Sequence, residues 1–151
     1  MLYAILAAAL VGLDQLVKVL VRLNITEGGS VPFLPHILQL TYYKNTGAAF
    51  SIFEEHTWIL TLISAAASVL IIVLMVRKTF NHPFGMVSLA LVLAGAVGNL
   101  IDRLFLGYVT DMFQTLFMNF PIFNVADICI VCGGIAFCVY FLLFCKEEDK
   151  A

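Results

Sequence analysis

Phe120-Pro121-Ile122-Phe123-Asn124-Val125-Ala126-Asp127 runs straight into Ile128–Cys145, eighteen residues without a charge. An uncharged apolar run of that length crosses the roughly 30 Å hydrocarbon core of a bilayer as a single helix. Asp127 therefore stands at the mouth of a membrane span, where an ionisable group is expensive to keep. It caps the helix, pairs with another group, or is held for chemistry. The remaining charges have to decide between these.

The rest of the chain has the same character. Its 151 residues are 62% hydrophobic and 12% charged, with a mean hydropathy of +1.03. Soluble domains are about half apolar and about a quarter charged, so the composition describes an integral membrane protein, with room for one domain over residues 1–151. A net charge of −2 without a basic patch gives no reason to expect nucleic acid. All four cysteines, Cys129, Cys132, Cys138 and Cys145, fall in the last apolar run. One C-x-x-C without a second pair or a histidine cluster does not make a tetrahedral metal site. These cysteines read as small packing residues.

Three further spans are legible. Leu2–Leu23 is apolar except for Asp14, Gln15, Lys18 and Arg22. No basic residue precedes it, and Asp14 and Lys18 interrupt it, so a retained helix is expected rather than a cleaved signal peptide. Asp14 and Lys18 are spaced i, i+4 with the acid first, the favourable order for a helical ion pair. Trp58–Val76 carries no charge, starts with an aromatic suited to the membrane interface and ends at Arg77-Lys78. Phe84–Leu106 closes with Gly95-Ala96-Val97-Gly98-Asn99-Leu100-Ile101-Asp102-Arg103. Gly95 and Gly98 allow close helix approach, and the i, i+3, i+4 spacing of Asn99, Asp102 and Arg103 places them on one helical face.

Besides the short turn at 77–83, two longer polar intervals separate these spans. In the first, between Asn24 and His56, Glu27-Gly28-Gly29-Ser30, Pro32 and Pro35 punctuate the chain. Ile37–Tyr43 is rich in β-formers and reads as a short strand. Lys44-Asn45-Thr46-Gly47-Ala48-Ala49-Phe50-Ser51 reads as a turn or as a loop able to bind an extended chain. The second interval, Gly107–Asn119, contains Asp111 in a stretch read as polar to amphipathic, with a turn residue as its bland alternative.

Four spans return both termini to one side, and a four-to-three excess of Lys and Arg there places them in the cytoplasm. Asp14, Asn45, Asn99, Asp102, Arg103, Asp111, Asn124 and Asp127 then all lie toward the outer half. Scattered histidines and the absence of H-E-x-x-H or G-x-S-x-G disfavour metallo- and serine hydrolysis. What remains is carboxylates. Asp14 has Lys18 one turn away and Asp102 has Arg103 beside it, whereas Asp111 and Asp127 lack such neutralisation. Two close carboxylates in a low-dielectric site share a proton, the arrangement of an aspartic protease. Residue types alone leave other readings open. Asp127 can be an N-cap, the intramembrane charges can be a carrier's ion path, and the polar face can simply lock a structural bundle.

Five ordered blocks carry a resemblance: Asp14-Gln15-Leu16-Val17-Lys18, Asn45-Thr46-Gly47-Ala48-Ala49-Phe50, Gly95 through Arg103, Val109-Thr110-Asp111, and Phe120 through Asp127. Over nearly its whole length the sequence resembles the lipoprotein signal peptidases (signal peptidase II). The resemblance implies an all-α integral membrane protein of four transmembrane helices with a small extracytoplasmic β-cradle and a mobile amphipathic helix between residues 24 and 56. It implies an aspartic endopeptidase of the bacterial cytoplasmic membrane, working as a monomer toward the outer face. Its substrate would be a diacylglyceryl-modified prolipoprotein, anchored in membrane lipid and cut on the amino side of the lipidated cysteine. Asp111 and Asp127 would be the catalytic pair. Asn45, Gly47, Asn99, Arg103 and Asn124 would position substrate or support the site, with Asp14 and Lys18 stabilising it. No metal or organic cofactor is implied. One departure is Met112, where the family usually carries Phe and where a lipid-facing wall is expected.

Overall fold

The computed structural model describes residues 1–47 and 57–144. Four helices, α1 (Leu2–Asn24), α2 (Thr57–Val76), α3 (Pro83–Leu106) and α4 (Val125–Leu143), are each long and apolar enough to cross a membrane. Three strands, β1 (Ser30–Leu34), β2 (Leu38–Asn45) and β3 (Val109–Thr115), form an antiparallel sheet in the order β1-β2-β3. The expected class, a four-span bundle carrying a small sheet, is the one found. An amphipathic helix is expected between residues 24 and 56, and of that interval residues 48–56 lie outside the described residues.

The first three spans lie within a residue of their expected limits. The fourth does not: α4 begins at Val125 rather than Ile128 and ends at Leu143. Asn124 is its N-cap, accepting the Asp127 N–H at 2.9 Å, while the Asp127 carboxylate accepts the Asn124 N–H at 3.1 Å. This reciprocal capping box satisfies two donors that the first turn would leave orphaned. Asp127 is therefore not the cap. It sits in the first turn with Asn124 holding it.

α3 is the central helix, with half of its span buried, and its buried face is mostly small residues. Ala90 and Ala94 receive Ala7 of α1. A Cβ on Gly98 would lie 2.7 Å from Asp14 Oδ2, and one on Gly95 would strike the Ala126 carbonyl. These two glycines are what let α1 and the start of α4 close on α3, as expected for small residues between membrane helices.

The sheet rides on the end of α1 through Val21, Ile25, Tyr42 and Met112. Met112 is fully buried there, so it belongs to the seam between α1 and the sheet and not to a lipid-facing wall. β3 also corrects the reading of residues 107–119: Asp111 is mid-strand, not in a turn. Val109, Thr110 and Phe113 suit a pleated surface, but the partner that makes them a strand is β2, more than sixty residues away in sequence. β1 accommodates Pro32 because it is an edge strand, where a missing N–H donor is tolerated.

Candidate active site

β3 brings Asp111 under the start of α4. Its neighbour Met112 joins the seam with α1, and strand alternation turns Asp111 to the other face. The pairings Tyr43↔Asp111 and Asn45↔Val109 put Asn45 diagonally across from Asp111 on that face. The Asn45 amide donates to Asp111 Oδ2 at 2.8 Å, and the Asn124 amide donates to Asp111 Oδ1 at 2.6 Å. Asp127 accepts the Asn99 amide on Oδ1 at 2.8 Å and the Asn124 backbone N–H on Oδ2 at 3.1 Å. Asn124 therefore touches both acids, one through its side chain and one through its backbone. Its amide also reaches Asn99 Oδ1 at 3.1 Å.

Asp111 is only 1% exposed. Burial, then the nearby Asp127 charge, push its carboxyl up to about 7, against hydrogen bonds from Asn45 and Asn124 that pull it down. Each cause acts in the sense expected for a carboxylate taken from water and set near a like charge.

Behind the acids lies a closed ionic cluster. Lys18 Nζ is 2.9 Å from Asp14 Oδ2 and 3.4 Å from Asp102 Oδ2, and donates to Asn99 Oδ1 at 2.9 Å. Asp14, Lys18 and Asp102 are each at most 1% exposed. The expected Asp14–Lys18 pair is present. The expected neutralisation of Asp102 by Arg103 is replaced by contacts to Lys18 and, at 3.9 Å, to Arg22. Adjacent helical residues point about 100° apart, so Asp102 turns to α1 while Arg103 turns away. Asn99, Asp102 and Arg103 consequently do not act as one face.

A cavity of about 530 Å³ opens beside the acids. Asn45, Asn99, Arg103, Asp111, Asn124 and Asp127 line its polar side, and Val109, Ile122, Phe123, Ile128 and Val131 its apolar side. Asp14, Lys18 and Gly47 do not line it. Gly47 contributes a backbone N–H to Asn45 Oδ1 at 2.9 Å, fixing the amide that reaches Asp111. Arg103 projects from α3 to Ser64 Oγ of α2 at 3.4 Å, and its buried Nε has no partner among the described residues. Cys129 is buried, and Cys132 and Cys138 are exposed on α4, all three free.

Several supporting residues escaped the sequence reading. Gln15 donates to the Gly98 carbonyl and to Asp102 Oδ1 at 3.0 and 3.3 Å. Arg22 donates to Thr110 Oγ1 at 2.8 Å. Arg22 lies one turn beyond Lys18, and that i, i+4 spacing was a usable signal. Ser64 sits in an uncharged run, where nothing marks it.

Four membrane-length helices with two hydrogen-bonded carboxylates on one cavity wall define the class: a multi-pass membrane protein with a buried acid pair. The profile of the signal peptidase (SPase) II family matches residues 6–143. A lipoprotein signal peptidase of Enterococcus faecalis is 47% identical over 149 residues, covering 99% of this chain and 90% of that protein. One from Clostridioides difficile is 38% identical, covering 95% and 97%. A solved bacterial membrane enzyme superposes with a TM-score of 0.86 at 28% identity, covering 99% of this chain and 91% of that one. The chain belongs to the signal peptidase II family and is a protease of a bacterial membrane.

Proposed function

We propose that this protein removes the signal peptide from diacylglyceryl-modified prolipoproteins, cutting on the amino side of the lipidated cysteine, with Asp111 and Asp127 as an aspartic dyad. The observation that carries the reading is the pairing of these two acids through Asn124 on the wall of one largely apolar cavity. The relatives named as lipoprotein signal peptidases support the substrate class.

In this mechanism the two carboxyls share one proton, because two buried acids that both bond to Asn124 do not both ionise. Asp111, pushed up to about 7, holds the proton and donates it toward the scissile carbonyl oxygen. Asp127, set by Asn99 and the start of α4, takes a proton from water as the water oxygen bonds to the carbonyl carbon. The tetrahedral intermediate then collapses. The C–N bond breaks, the proton on Asp127 passes to the departing amine of the lipidated cysteine, and Asp111 takes back a proton from one hydroxyl as the new carboxyl forms. Arg103 Nε, without a partner among the described residues, stands beside the cavity and would hold a substrate carbonyl, while Asn45 and Gly47 keep the loop end of β2 in register.

The apolar wall receives acyl chains while the peptide crosses the polar side. Anchoring the substrate in the bilayer fixes the depth of the scissile bond, so positioning lowers the barrier. The protein works as a single domain and as a monomer, with cytoplasmic termini and the site toward the outer face. The test is cleavage of a purified prolipoprotein with and without its diacylglyceryl group. Turnover that requires the lipid, and that disappears in D111N and in D127N, supports the reading. Equal cleavage of both substrates would refute the substrate class.

A further inference from the structure

The buried ionic cluster makes a contact to the backbone on each side. Asp14 Oδ1 accepts the N–H of Ala126 at 2.9 Å, and Asp102 Oδ2 accepts the N–H of Thr110 at 2.9 Å. Ala126 immediately precedes Asp127, and Thr110 immediately precedes Asp111. The two arms are bridged by one ammonium, with Lys18 Nζ 2.9 Å from Asp14 and 3.4 Å from Asp102. The arms come from different helices, α1 and α3, and hold different elements, α4 and β3. The same Lys18 donates to the Asn99 oxygen, which leaves the Asn99 amide nitrogen to face Asp127.

We propose that Asp102 is a positioning residue equal in weight to Asp14, and that the Asp14–Lys18–Asp102 bridge sets the spacing of Asp111 and Asp127 through the peptide N–H before each acid. The inference rests on the dyad reading above. Neither Asp14 nor Asp102 lines the cavity, so neither acts on substrate. Their part is geometric. Charge-assisted hydrogen bonds to backbone amides are short and directional, and burial of all three charged groups keeps water from loosening them. Asp102 is further fixed by Gln15 at 3.3 Å and Arg22 at 3.9 Å. Arg22 closes the arrangement by donating to Thr110 Oγ1, so Thr110 is held at its backbone by α3 and at its side chain by α1.

The test uses the full-length enzyme in detergent or proteoliposomes with the lipid-modified substrate. D102E keeps the charge and the acceptor but lengthens the arm by one methylene, roughly 1.5 Å. Its expected turnover is lower by tenfold or more, with KM within threefold and the unfolding temperature near that of the parent. The two limbs of its pH–rate profile change their separation, because that separation reports the coupling of the two acids. D102N keeps an oxygen of the original reach for the Thr110 N–H but removes a charge from the bridge and turns its NH2 to Gln15 and Arg22, so it is expected to lose turnover by tenfold or more as well. If D102E does not accumulate as folded protein, D14E carries the same test from the other arm. Turnover of D102E or of D102N within twofold of the parent overturns the proposal. D111N and D127N run alongside separate the two failures. Active Asn variants sink the dyad itself, whereas inactive Asn variants with a fully active D102E sink only the bridge.

Discussion

The side-chain amide of Asn124 lies 2.6 Å from Asp111 Oδ1. Asn124 is at the same time the N-cap of α4, with its oxygen accepting the Asp127 N–H. One residue thus starts a membrane helix and joins the two acids, and these roles can be separated. In N124S the hydroxyl still caps the helix but cannot reach Asp111 as the amide does. Stability is expected to fall by about 1–3 kcal/mol, the cost of leaving buried acceptors on Asp111 and Asn99 without the amide, since Ser and Asn cap comparably. Turnover falls by about tenfold or more, the size of effect seen when one oriented hydrogen bond at a site is lost. Thermal unfolding and cleavage kinetics on one preparation check both halves.

The closeness of α1 to α3 gives a second expectation. A methyl group on Gly98 would meet Asp14 Oδ2 at 2.7 Å, and Asp14 cannot retreat without releasing Lys18 or the Ala126 N–H. G98A should destabilise by about 1–3 kcal/mol, the usual range for overpacking, and should lower turnover as well. G12A is the control, since a Cβ there meets nothing. Unfolding temperature and activity of the two variants decide it.

Asp111 also predicts how stability depends on pH. Its carboxyl titrates at about 7 in the folded protein, against an ordinary value of 3.8. Between those values the folded state binds more protons than the unfolded state, so stability falls as pH rises through this window. The contribution is most favourable below about 4 and is lost above about 7. D111N, which cannot titrate, should flatten the slope. Unfolding temperatures measured across that window for parent and variant provide the check, and parallel curves would refute the assignment.

Met112 separates packing from chemistry. It is fully buried with Val21, Ile25 and Tyr42, outside the cavity lining. M112A should cost about 2–5 kcal/mol, as for other buried Met truncations. Below its lowered unfolding temperature it should retain KM within threefold. A raised KM without lost stability would place Met112 against the substrate instead.

Much of this architecture was legible because membrane spans announce themselves. Long apolar runs gave three helices to within a residue, and the i, i+4 spacing of Asp14 and Lys18 gave their ion pair. The start of α4 was missed because hydropathy begins counting at Ile128, while the helix begins where Asn124 can cap it. β3 was missed because its partner is distant in sequence and its own pattern is weak. Asp102 was paired with the wrong cation for a related reason: adjacency in sequence suggested Arg103, whereas adjacency in space comes from α1. Of the site, Asp111, Asp127, Asn45, Asn99, Arg103 and Asn124 do converge on one cavity. Ser64 and Thr110 had no local signal, since each gains its role only from a helix or strand packed against it.

The central claim is that Asp111 and Asp127 act as one unit. The most direct measurement is single-turnover cleavage of a diacylglyceryl-modified prolipoprotein by D111N, D127N and the D111N/D127N double variant, each shown to be folded by its unfolding temperature. Each single variant should lose at least about 10³-fold, and the double variant should lose no more than the worse single, because residues acting together give strongly non-additive losses. A single variant that cleaves within tenfold of the parent, or a double variant whose loss is the product of the two single losses, would contradict the account.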